Sequence, residues 1–169
     1  MEAVCTIKRR ATEAKTDRQG SPADPASLGT QAILLSTWEP AGLTSSLPSA
    51  EAYAEAAKRQ AMHLVQNATT FSLNATHSAI SHRDAPPQLW GDFIYMVPPF
   101  LAYYGVATRS LDFLEASVRQ CRLYHDVLTM NITLSDATIC SALWRHIVSQ
   151  PSPLPSGVCC TDPNVWLTR

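Results

Sequence analysis

The chain has 169 residues, 46% hydrophobic and 16% charged, with a formal net charge of −1 and a pI near 6.5. That length is enough for one domain with a sizeable core, which buries roughly 70% of the extended-chain surface. The balanced, scattered charge removes the electrostatic case for a nucleic-acid partner, and no run of about 20 apolar residues is present to form a membrane-spanning helix.

Residues 1–20 read as a disordered N-terminal lead, distinct from a single domain over 21–169. The basic cluster Lys8-Arg9-Arg10 within it reads as a solvated tail. Lys8, Arg9, Arg10, Lys15, Asp17 and Arg18 interrupt any apolar core of a secretory signal. Three acceptor sequons, Asn67-Ala68-Thr69, Asn74-Ala75-Thr76 and Asn131-Ile132-Thr133, nevertheless point to secretion of the intact protein, with the cytoplasm as the other reading. Cys5, Cys121, Cys140, Cys159 and Cys160 match neither a zinc ribbon nor a CxxC pair. Buried, inert thiols are the simplest account of them. No His, Asp or Glu set has metal-ligand spacing, so neither a metal nor a cofactor is expected.

The pattern turns helical at Ser49, which is suited to cap a helix. Tyr53, Ala54, Ala57, Ala61, Leu64 and Val65 then recur at spacings of three and four, opposite Glu55, Lys58, Arg59 and Gln66, which predicts an amphipathic helix over about 50–66. A second helix is predicted from about Asp92 to Val106, so apolar that burial on nearly all sides follows. Pro98-Pro99 should kink or open it. A third starts after Thr108, with Leu111, Leu114, Val118, Cys121 and Leu128 on one stripe. Amphipathic, buried and amphipathic helices in turn suggest a layered helical array. No segment alternates convincingly as a strand, although 142–148 has the composition of a short extended piece, and Gln150 to Gly157 reads as a Pro-rich loop.

The chemistry concentrates in Ser81 to Leu101, where Asp92 stands among aromatic and aliphatic residues. An apolar setting strips water from a carboxylate and favours its protonated form, which suits proton transfer. The same position also suits a plain carboxylate at a helix N-terminus.

Trp90, Asp92, Met96, Pro98 and Leu101, preceded by His82-Arg83, resemble the unsaturated rhamnogalacturonyl hydrolases, glycoside hydrolase family 105, and among these the fungal branch. Ala23 to Gly29 resembles the opening of one inner helix, Leu143-Trp144-Arg145-His146 a segment that returns a histidine to the cleft, and Asp162-Pro163-Asn164-Val165-Trp166 the approach to the family's Gly-Asn-x-Trp motif. The resemblance implies an all-α fold, a partial (α/α)6 toroid of helical hairpins whose C-terminal hairpins are missing. It implies an enzyme that removes a 4,5-unsaturated uronic acid from the non-reducing end of a pectin fragment, an oligosaccharide substrate. Asp92 would be the general acid and base, Trp90 and Met96 would shape the sugar subsite, and His82, Arg83 and His146 would line the cleft, with Arg83 pairing the uronate. The alternative is a non-catalytic helical carbohydrate-binding or interaction protein, whose apolar helix forms a core or a partner groove.

Overall fold

The computed structural model describes residues 20–37, 48–73, 77–133, 136–137 and 139–149. The N-terminal lead up to residue 19, the Pro-rich segment 150–157, the motif-like stretch 162–166, the sequon at Asn74, and Cys5, Cys159 and Cys160 lie outside the described residues.

A 3-10 turn, Asp24–Leu28, leads directly into helix α1, Gly29–Thr37. Helix α2, Ala50–Gln66, starts where the Ser49 hydroxyl accepts the Ala52 N–H, the cap expected from the sequence. Strands β1, Thr70–Ser72, and β2, Ser78–Ile80, pair antiparallel with Phe71 opposite Ala79. Strand β3, Gln88–Trp90, precedes helix α3, Phe93–Thr108, and helix α4, Leu111–Leu128. Strands β4, Thr129–Thr133, β5, Ile139–Trp144, and β6, Ile147–Ser149, complete the order.

The all-α toroid expected from the resemblance is not the architecture. Among the described residues, four helices are combined with six short strands in three antiparallel pairs, β1 with β2, β3 with β6, and β4 with β5. Four of these strands are three residues long, too short for an alternating pattern to stand out, and β3 finds β6 across about sixty positions of chain. The β4–β5 pair is a hairpin with a register shift between Met130 and Ile132.

The three helices predicted at 50–66, after 92 and after 108 are present, and α3 runs through Pro98-Pro99 from Phe93 to Thr108. It ends on Arg109, which takes the left-handed conformation (φ 54°) that usually falls to glycine after a helix. Burial on all sides is the expectation that fails. Phe93, Val97, Phe100 and Leu101 are fully buried, while Tyr95, Tyr103 and Val106 on the same helix are 64%, 51% and 69% exposed.

The core forms where α3 and α4 pack together and where α1, α2 and the 3-10 turn close over α3. Phe93 stacks on Tyr124 with ring centroids 4.1 Å apart. Phe100 lies under the start of α1, where a Cβ on Gly29 would come within 2.3 Å of its ring, so this approach needs glycine. Polar side chains of α4 brace the sheet edge: Gln120 Oε1 accepts the Ile80 N–H at 2.9 Å, and the Tyr124 hydroxyl donates to the Ile80 carbonyl at 2.8 Å. Ser117 likewise donates to the Pro98 carbonyl at 2.7 Å. Each bond satisfies a buried backbone group that water does not reach.

Candidate functional site

Pairing of β3 with β6 sets Trp90 opposite Ile147, which brings His146 beside the start of α3. The Gly91 N–H donates to the His146 carbonyl at 2.7 Å and fixes that approach. Asp92 is the N-cap residue of α3, but its side chain makes no capping bond. It faces His146 instead, Oδ2 to Nε2 at 3.5 Å. Asp92 is 46% exposed, so the desolvated setting expected for it is absent: the apolar residues that follow it, Phe93 and Val97, turn inward and leave the carboxylate at the surface.

The loop from Ser81 to β3 supplies the other half of the cluster. Ser81 Oγ, fully buried, donates to the Arg83 carbonyl at 2.6 Å and accepts the Gln88 N–H at 2.8 Å, closing the loop. The Ala85–Pro86 peptide bond within it is cis. His82 is thereby carried inward, 3% exposed, and stacks on Trp90 with centroids 4.6 Å apart and planes 7° from parallel. Arg83 sits over the same indole, its guanidinium carbon 4.7 Å from the ring centroid, and His146 approaches it at 5.9 Å. The indole N–H is satisfied by Gln88 Oε1 at 2.8 Å.

His82, Arg83, Trp90, Asp92 and His146 are thus brought together, as the resemblance implies. Met96 is not among these contacts; it packs, partly buried, against the hydrophobic core. Its packing on the core keeps it out of the cluster. Asp24 is the member that sequence reasoning does not single out: its Oδ1 lies 3.7 Å from His82 Nε2, although 58 positions separate the two residues. The only sign in the sequence is its place within Ala23 to Gly29, which carries no chemistry of its own.

The cluster therefore holds two imidazole–carboxylate pairs about one indole. Burial holds His82 below its ordinary range, opposed by the Asp24 carboxylate and reinforced by Arg83. The second pair, His146 at 31% and Asp92 at 46% exposure, is open to solvent and placed to pass a proton to a bound molecule. Arg83 lies against the indole as a cation over a π face, and its guanidinium fork is of the kind that pairs with a carboxylate.

Elsewhere, α4 carries a shallow apolar groove of about 560 Å³, lined by Leu111, Leu114, Val118 and Leu123 with Arg119 and Arg122 at its side. Cys121 is a free thiol, partly buried, and burial pushes its ionisation up, which makes it a poor nucleophile. Among the described residues no three His, Cys, Asp or Glu side chains are grouped so as to hold a metal ion, and no helix is long and apolar enough to cross a membrane. No family model, curated protein or solved structure matches the chain.

Proposed function

We propose that the cluster at the start of α3 takes an oligosaccharide ending in a 4,5-unsaturated uronate, and that Asp92 with His146 exchanges the proton that hydrates its double bond. The observation that carries this reading is the solvent-open Asp92–His146 pair at 3.5 Å beside an indole under a guanidinium. A neutral carboxyl group at Asp92 would add a proton to carbon 4. The resulting carboxylate would then take a proton from the water that bonds to carbon 5, and the hemiketal so formed opens without further help. Arg83 would hold the uronate carboxylate through its guanidinium fork, and His146 would keep Asp92 supplied with a proton. Secretion belongs to the same proposal, since Asn67 and Asn131 of the sequons are both exposed. The reading rests on these side chains and on the resemblance carried by residues 82–101, not on a toroid.

A non-catalytic carbohydrate-binding role is the second reading. It is favoured by the 46% exposure of Asp92, which lacks the desolvated setting that would tune a carboxyl group for proton transfer. Loss of the conjugated absorbance of an unsaturated rhamnogalacturonan disaccharide separates the two. Hydrolysis predicts turnover by the unaltered protein and a loss of about 10²- to 10⁴-fold in Asp92→Asn, which keeps the shape and removes the exchangeable proton. Binding of the disaccharide without turnover supports the second reading, and neither binding nor turnover removes both.

A further inference from the structure

Residues Gly20 to Asp24 lie along the loop Ser81 to Asp84 as a strap. The Asp84 N–H donates to the Gly20 carbonyl at 2.9 Å, the Ser21 hydroxyl donates to the His82 carbonyl at 2.7 Å, and the Asp24 carboxylate faces His82 Nε2 at 3.7 Å. Ser21 Oγ also accepts the Asp24 N–H at 3.1 Å, so the strap is tied to itself as well as to the loop. Beneath it the His82 ring is 3% exposed and covers Trp90.

In the neutral ring the proton belongs on Nε2, the nitrogen that faces a carboxylate. Nδ1 then carries the lone pair. It is buried and has no hydrogen-bond partner. A second proton has only Nδ1 to go to, where it finds neither an acceptor nor water, and a buried unpaired donor of a charged ring is costly. The charged groups around the ring do not relieve this. Asp24 from the 3-10 turn and Asp92 from the start of α3 favour the imidazolium; Arg83 from the same loop and His146 from the β5–β6 connection oppose it; burial outweighs them all.

We propose that the strap is a proton-operated latch: a proton taken up by His82 drives the ring out toward water, releases residues 20–24 from the loop, and uncovers the Trp90 face that the imidazole covers. Neutralisation returns the ring and closes the latch. Control of access to Trp90 rests on the reading of this cluster as the sugar site, whereas opening of the strap needs no ligand.

The test uses the full chain without any sugar. Imidazole carbon–proton signals are followed by NMR from about pH 8 to about pH 5, alongside hydrogen-exchange protection factors of the Asp84 and Asp24 amides. The expected result is a His82 midpoint below the ordinary 6.5, with both amides losing protection over the same pH span. In His82→Phe, which keeps a flat ring on Trp90 but takes no proton, protection should not vary with pH. Asp24→Asn, a substitution at a half-exposed side chain, should lower the His82 midpoint further and gives the same readout if His82→Phe does not fold. A midpoint at or above 6.5, strap amides indifferent to the titration, or an unmoved midpoint in Asp24→Asn overturns the latch. Turnover of the disaccharide with a silent strap sinks the latch alone, and a working latch without turnover sinks only the hydrolase reading.

Discussion

The two ends of helix α3 differ in what they leave at the surface. At its N-terminal end the polar groups are matched, Asp92 facing His146, Arg83 on Trp90 and the indole N–H meeting Gln88, although Tyr95 in the first turn stands 64% exposed. At its C-terminal end Tyr103 and Val106 stand 51% and 69% exposed, next to Leu111 at 65% on α4. Yet the helix is apolar along its whole length. Apolar composition therefore sets how much of a helix is available for burial, and the neighbours decide which side is used. Here α4 and α1 take the stripe Phe93, Val97, Phe100 and Leu101, and leave the opposite side uncovered. On α4, Leu111 and Val118 are likewise exposed and line the apolar groove.

The largest effect should come from breaking the shared stripe. Phe93→Ala removes a fully buried ring stacked on Tyr124, and a loss of about 3–5 kcal/mol is expected in urea unfolding. A loss below about 1 kcal/mol would mean that the stripe does not hold α3 to α4.

Gln120→Ala tests the bracing of β2. It strands the buried Ile80 N–H without its acceptor, and about 1–3 kcal/mol should be lost. Gln120→Glu keeps an acceptor at that distance and should recover part of the loss, unless the bond is incidental.

Acidification should act on the N-terminal end and spare the other. Burial lowers the His82 ionisation in the folded chain relative to 6.5 in the unfolded one, so the unfolded chain binds the proton more readily. The His82 contribution to stability is therefore complete above about pH 6.5 and falls as pH drops below it, levelling off beneath the folded value. Urea midpoints measured across that span should fall in the unaltered protein and fall less in His82→Phe. Equal slopes in the two would remove His82 as the cause.

The smallest effect belongs to the uncovered side. Leu111→Ser and Val118→Ser should change stability by no more than about 0.5 kcal/mol each, while raising the concentration at which the protein stays monodisperse in light scattering. A marked destabilisation would show that this face is packed in solution.

The spans of α2 and α3 and the start of α4 were legible because periodicity and the Ser49 cap are local properties, set by side chains three or four positions apart. The grouping of His82, Arg83, Trp90 and Asp92 was legible for a similar reason, since all lie within a short stretch of chain. His146 was placed with them by the resemblance, and only the β3–β6 pairing, with Leu89 opposite Val148, supplies the contact that puts it there. Asp24 was not legible as a partner of His82, because nothing in either sequence neighbourhood specifies the other. The burial of Asp92 was misread for the same reason: an apolar run does not say on which side of the helix its single carboxylate will lie.

By itself the sequence determined where α2 and α3 run, where α4 begins and which short segment concentrates the reactive side chains, while α1 went unread. Tertiary structure alone decided that three-residue strands pair across the chain, that α3 buries one stripe rather than all its faces, that Asp92 stays open while His82 is enclosed, and that Asp24 closes over it. Helix periodicity is a short-range signal, whereas strand pairing, exposure and charge partnership depend on contacts between residues tens of positions apart, and a linear pattern carries no record of those distances.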